Sequence, residues 1–378
     1  MPPRVIVVGG GPMGIAAAIG ALERGLEVTV LEAEEVGASL RRWGRTRFFS
    51  PFAMNVSPVM AKSLDGTRPP DDALLTGAEF ADLVLQPLAD SGPLHGRVRT
   101  RTRVVGIGRR NLQREDYAGH PLRAERPFRL LVATPEGEET LEAEVVLDAT
   151  GGYRIPKPLG AGGLPARGEL RLQRPPIRNL GELEARVDAL RGKRVLLIGH
   201  GHSAANALDI LGESEVIWAV RTANRRPCEE VANDPLPERQ RVVGRANELA
   251  ESGKLRVERK AMVESIAERN GCYDVLLTGG RNLEVDAIAA FTGYRPDTSM
   301  VGELAVETSP ITEGGARLYR AISNVTDCLA VPKVASNDLQ SGEPNFYFVG
   351  SRSYGRSRAF LLRTGLQQLE TILNGLPR

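Results

Sequence analysis

Two glycine clusters, Gly9-Gly10-Gly11-Pro12-Met13-Gly14 and Gly199-His200-Gly201-His202-Ser203-Ala204, stand 190 positions apart in a chain of 378 residues. Small residues at this spacing, between an apolar run and a helix, build a phosphate cradle. The first glycine permits a tight turn, the second lets the main chain approach a pyrophosphate, and the third small residue lets helix pack on strand. The helix N-terminus then faces the anion. Gly9, Gly11, Pro12 and Gly14 are the candidates in the first cluster, and Gly199, Gly201, His202, Ser203 and Ala204 in the second. The residue that closes each unit differs in charge. Glu32, 18 positions after Gly14, can accept hydrogen bonds from a free ribose 2′-hydroxyl and would repel a 2′-phosphate. Arg221, 17 positions after Ala204 and followed by Arg225 and Arg226, offers the guanidinium cluster that a 2′-phosphate calls for. The first site therefore suits FAD or NAD, and the second suits NADPH.

Regular elements must surround these loops. Val5 to Val8 reads as a strand, Ile15 to Leu22 as a helix and Glu27 to Leu31 as a second strand; Arg194 to Ile198, Ser203 to Leu211 and Glu215 to Val220 repeat that order. Between the two units, Gly37 to Pro70 lacks clean periodicity and reads as an irregular segment able to wall a cofactor. Glu79 to Leu88 follows as a helix. Strands are expected over Arg97 to Arg109, Phe128 to Ala133 and Thr140 to Ala149, then a linker from Gly160 to Pro176. A strand over Asn345 to Val349 and an amphipathic helix from about Ala359 to Leu373 close the chain. The predicted class is α/β, with two Rossmann-like domains and the second inserted into the first. Residues 1–158 and 288–378 form the FAD-binding domain, and 159–287 the NADPH-binding domain.

Composition removes several alternatives. With 49 basic and 47 acidic residues and 5% aromatics, nothing suggests a nucleic-acid footprint. The first strand begins almost at once and no apolar run approaches membrane-spanning length, so a cytoplasmic protein is expected. Cys228, Cys272 and Cys328 are 44 and 56 residues apart, which disfavours both a vicinal redox disulfide and a zinc site; no metal is expected. His200 and His202 read as structural or phosphate-contacting residues rather than acid–base catalysts, because they lie inside the phosphate loop.

The chain resembles the two-dinucleotide-binding-domain flavoproteins, the superfamily of thioredoxin reductases, flavin-containing monooxygenases and N-hydroxylating monooxygenases. The resemblance rests on Gly9, Gly11, Gly14 and Glu32, on the Ala149-Thr150-Gly151 turn, on Gly199, Gly201, Ser203 and Ala204, and on the turn from Thr292 through Gly293 to Pro296. It implies FAD on the first loop, NADPH on the second, and Gly151 and Gly293 near the flavin and nicotinamide. It further implies FAD contacts at Gly350 and Ser351, where relatives carry Gly-Asp, and at Thr364, Gly365 and Leu366, the start of a helix aimed at the flavin. The FxGxxxHxxx(Y/W) signature of flavin-containing and Baeyer–Villiger monooxygenases is absent.

By this resemblance the chain is an FAD-containing, NADPH-dependent oxidoreductase. The leading reading is a single-component monooxygenase that oxygenates a small molecule with molecular oxygen through a flavin C4a-(hydro)peroxide, with Asn55 and Ser50 as the catalytic candidates. The alternative is an NADPH-dependent reductase of a small disulfide, quinone or electron carrier, its anionic acceptor seated by the basic loop Arg352 to Arg358. Neither nucleic acid nor membrane is an expected partner. The oligomeric state stays open, a homodimer being compatible with the sequence.

Overall fold

A computed structural model describes residues 2–377 except 65, 91, 326 and 327. The chain divides into two compact units. One comprises Met1–Leu40, Ser50–Ile155 and Tyr294–Arg378; the other comprises Arg41–Phe49 and Pro156–Gly293. The second unit thus includes residues 41–49, 156–158 and 288–293, which the sequence placed in the first domain.

The first unit is built on a parallel sheet. β1 (Arg4–Val8) leads through the glycine loop into α1 (Pro12–Glu23) and back to β2 (Glu27–Leu31). A four-residue helix, α2 (Phe52–Asn55), precedes the short strand β3 (Val98–Arg99). Three antiparallel strands follow, β4 (Arg103–Arg109), β5 (Phe128–Thr134) and β6 (Gly137–Ala143), and then β7 (Val145–Asp148).

The expected strand over 97–109 is divided because Arg101 takes a left-handed φ of 51°, and its amide donates to the Glu34 carbonyl at 3.0 Å. The chain thereby leaves the parallel sheet for the antiparallel one. The segment 140–149 is divided likewise, its first half belonging to β6 and its second to β7.

The second unit repeats the first in outline. β8 (Arg194–Ile198), α3 (His202–Ile210) and β9 (Glu215–Val220) are followed by α4 (Pro237–Glu251) and β10 (Arg256–Arg259). An antiparallel trio comes next, β11 (Val263–Arg269), β12 (Cys272–Leu277) and β13 (Arg281–Val285), and then β14 (Ala287–Ala290). The chain returns to the first unit with β15 (Phe346–Phe348) and α5 (Leu362–Asn374).

Strand order is β15-β7-β1-β2-β3 in the first parallel sheet and β10-β9-β8-β14 in the second. In each, the strand that feeds the glycine loop is internal and buried on both faces, as its uninterrupted apolar run requires. Along β8 the period of two is explicit. Val195 and Leu197 pack with Ala204, Leu208, Val242 and Ala246 of α3 and α4, whereas Leu196 and Ile198 pack with Val263, Val275 and Leu277 of the antiparallel trio. In the first unit Ile6 and Val8 face Phe128, Leu130 and Val132 of the antiparallel strands in the same way.

Candidate dinucleotide sites

In the first unit β1 ends at Gly9, whose φ of 108° turns the chain; a Cβ there would lie 2.7 Å from the Ala149 carbonyl oxygen. A Cβ on Gly14 would collide with the Gly9 carbonyl, so α1 can approach β1 only with glycine at that place. Gly11 is different: a Cβ there meets nothing within 4 Å. It is the N-cap of α1 with no side-chain cap, and Pro12 occupies the first turn. The free amides of that turn and the open space before them make an anion cradle.

Glu32 stands at the end of β2. Its carboxylate accepts from the Gly10 amide at 2.6 Å and the Glu34 amide at 2.8 Å. Burial raises its pKa, and the two amides pull the other way. The carboxylate that would hold a ribose is therefore fixed by the loop it serves.

The other first-unit candidates gather around the same loop. Ala149 is buried and its amide donates to the Val8 carbonyl at 2.9 Å. The Thr150 amide and hydroxyl both donate to Asp148 Oδ1, at 3.1 and 2.6 Å. Gly151 has a φ of 75°, and its missing Cβ would lie 3.5 Å from Ser351 Oγ. Gly350, at φ 67°, leaves room for the Met13 side chain, and Met13 Sδ also fills the space beside Gly365. Thr364 and Gly365 are buried in the first turn of α5, with Leu366 half-buried beside them.

Sequence reasoning missed the pair that fixes this arrangement. Asp148 and Arg352 are fully buried, and Arg352 Nε donates to Asp148 Oδ2 at 2.9 Å. The guanidinium also lies over the Phe348 ring, 4.2 Å from its centroid. Asp148 thus joins the Thr150 turn to the segment after β15. The two residues are 204 positions apart, and no local pattern announces such a pair.

The structure also corrects the basic loop. Arg352 is spent on Asp148, and Arg356 Nε donates to Glu313 Oε2 at 2.7 Å. Of the arginines offered for an anionic acceptor, Arg358 alone is exposed without a described partner. Ser50 and Asn55 are buried against one another, Ser50 Oγ donating to Asn55 Oδ1 at 2.7 Å and Asn55 Nδ2 to the Ser50 carbonyl at 3.0 Å. One Asn55 amide hydrogen remains. α2, which carries Asn55, packs on α5.

In the second unit Gly199 has a φ of 116°, and a Cβ would run into the Phe291 carbonyl. The indole nitrogen of buried Trp218, on β9, donates to the Gly199 carbonyl at 2.6 Å, a brace that the sequence did not reveal. Gly201 matches Gly11: it is an N-cap without a side-chain cap, and a Cβ meets nothing within 4 Å. Ala204 is fully buried in place of the third glycine, while His202 and Ser203 are exposed at the start of α3. The His202 and Phe49 rings meet at 5.1 Å with their planes at 84°.

The arginines are unequal. Arg221 is exposed with no described partner. Arg225 lies 3.9 Å from Glu251, and Arg226 is held by Glu230 and, at 2.7 Å, by Glu251. Arg259 braces their loop by donating to the Asn224 and Arg225 carbonyls. Gly293 ends the unit at φ 85°, its carbonyl accepting from the Lys157 amide at 2.8 Å.

Two parallel sheets, each with an open uncapped glycine cradle, one closed by a carboxylate and the other by a free guanidinium, define a two-dinucleotide oxidoreductase. The chain belongs to the pyridine nucleotide-disulphide oxidoreductase family, whose model matches residues 3–337. Its cofactors are FAD and NADPH, and the open space at Gly11 and Gly201 fits both.

Solved structures share the fold over the whole length. Bacillithiol disulfide reductase from Bacillus cereus is 18% identical with a TM-score of 0.67, over 99% of this chain and 98% of that one. Ornithine N-hydroxylase from Kutzneria sp. 744 is 17% identical with a TM-score of 0.65, over 98% of each. A flavin-containing monooxygenase from Stenotrophomonas maltophilia is 18% identical with a TM-score of 0.60, over 98% of this chain and 97% of that one. No curated protein matches in sequence. Among the described residues no helix is long and apolar enough to cross a membrane, and no cluster of His, Cys, Asp and Glu could hold a metal.

Proposed function

We propose that this oxidoreductase is a single-component monooxygenase that takes electrons from NADPH and places one oxygen atom of O2 on a small molecule. The observation that carries this reading is the buried Ser50–Asn55 pair, with Asn55 on a helix packed against α5, in a chain whose three cysteines are spaced too far apart for a vicinal dithiol. Bound FAD supplies hydride acceptance from NADPH and the activation of oxygen.

The protein's own residues supply position and polarity. The amides at Gly11 and Gly201 hold the pyrophosphates, and Glu32 selects an unphosphorylated ribose. Arg221, with Arg225 beside it, selects a 2′-phosphate. Ser50 fixes the Asn55 amide plane and leaves one N–H to donate where oxygen acquires charge. Gly350, Ser351, Thr364, Gly365 and Leu366 wall the flavin end. Burial pushes the Cys228 thiol up to about 12, which keeps it protonated.

A second reading, direct reduction of a small disulfide or quinone, is favoured by the full-length likeness to a bacillithiol disulfide reductase. NADPH oxidation by the holoprotein under air and under nitrogen separates the two. The monooxygenase requires oxygen and incorporates label from 18O2 into product. Rapid anaerobic turnover with a disulfide or quinone, unaffected by oxygen, would establish the reductase instead.

A further inference from the structure

The chain leaves the first unit after Leu40 and returns to it at Ser50. The nine residues between are fixed to the second unit far more firmly than a passing strand needs. The Gly181 amide donates to the Arg42 carbonyl at 2.9 Å. The Arg45 amide lies 2.9 and 3.0 Å from the two Glu184 carboxylate oxygens. Gly44, at φ 62°, lies so near that carboxylate that a Cβ would collide with it. Trp43 and Phe48 pack ring on ring at 4.9 Å. Phe49, the last of the nine, packs on the core of the second unit and sets its ring against His202, the first residue of α3. His202 adjoins Gly201, where the structure leaves open space.

We infer that residues 41–49 form a wall of the nicotinamide-dinucleotide site, with Phe49 as the positioning residue that holds His202 and borders the bound pyrophosphate. The inference rests on the second cradle being the NADPH site, as proposed above. The wall comes from a part of the sequence that precedes the second glycine loop by about 150 residues, as the two sets of numbers show. It acts on ligand binding rather than on hydride transfer. Glu184 serves it by clamping the Gly44-Arg45 turn.

The test is NADP+ binding to the full-length, FAD-loaded protein by calorimetry, with FAD content and thermal midpoint measured on the same samples. Phe49→Ala raises Kd about three- to tenfold, the range expected for loss of one aromatic contact, and leaves FAD content unchanged. Phe49→Leu, which keeps apolar volume, shows a smaller rise. Glu184→Ala raises Kd as well, and the double variant falls short of the product of the two effects because both act through one segment.

A Kd within about twofold of wild type for both Phe49 variants, whatever their midpoint, would overturn the inference and leave Phe49 as core filling. If Phe49→Ala does not fold, Phe49→Leu and Glu184→Ala decide the matter by the same criterion. Failure of the wild-type protein itself to bind NADP+ would instead remove the NADPH assignment on which the inference stands.

Discussion

Gly11 and Gly201 separate ligand binding from folding in a way that their neighbours cannot. Gly14 and Gly199 are demanded by the protein's own backbone, since a Cβ at either strikes a carbonyl. At Gly11 and Gly201 a Cβ strikes nothing, and the proposed function gives glycine there to the pyrophosphates. Gly11→Ala should leave the thermal midpoint of the FAD-free protein within about 1 °C of wild type, a stability change under about 0.5 kcal/mol. FAD retention should fall at least about tenfold, as absorbance at constant protein concentration would show. Gly201→Ala should spare FAD and weaken NADP+ to a similar degree.

At this scale much was legible in the sequence. The opposite charges of Glu32 and Arg221, each about one βαβ unit past its loop, pointed to two different ligands, and the family's cofactors are FAD and NADPH. Arg226 was not legible in full: its sequence neighbours gave no sign that Glu230 and Glu251 engage it. Ser50 and Asn55 were legible as types, but not as partners.

At the scale of elements, the strands feeding each loop could be read from their apolar runs, because a strand buried on both faces has no polar alternation to confuse it. The strand over 97–109 could not. A single left-handed residue, Arg101, divides it, and nothing in its side chain demands that conformation.

The Asp148–Arg352 pair was equally hidden. It locks the end of β7 to the four-residue helix Ser351–Tyr354 by a contact that sequence separation conceals. Arg352→Ala strands a buried carboxylate and should cost about 3–5 kcal/mol in denaturant unfolding of the cofactor-free protein. Asp148→Asn, which keeps an acceptor for the Thr150 turn, leaves the guanidinium uncompensated instead. The Arg352→Ala/Asp148→Asn double variant should recover part of the loss, a coupling that independent sites would not show.

For the whole molecule, the composition and the paired loops anticipated two nucleotide-binding units with one inserted in the other. They did not anticipate that the chain passes between units four times, after Leu40, Phe49, Ile155 and Gly293. The reason is physical: a nine-residue excursion without helix or strand periodicity carries no pattern that assigns it to either unit. Residues 156–293 are consequently an incomplete body. Expressed alone, they should unfold with about 1–3 kcal/mol less stability than the same fragment carrying 41–49 on a flexible tether, since the apolar surface that Phe49 covers is left wet. Urea titration followed by far-ultraviolet circular dichroism would measure the difference.

The excursion has a last consequence at its final peptide bond. Phe49 sets its ring against His202 and Ser50 orients Asn55, yet the two are covalent neighbours separated by little more than about two soft backbone torsions. One peptide bond thus joins the residue that meets His202 to the residue that orients Asn55.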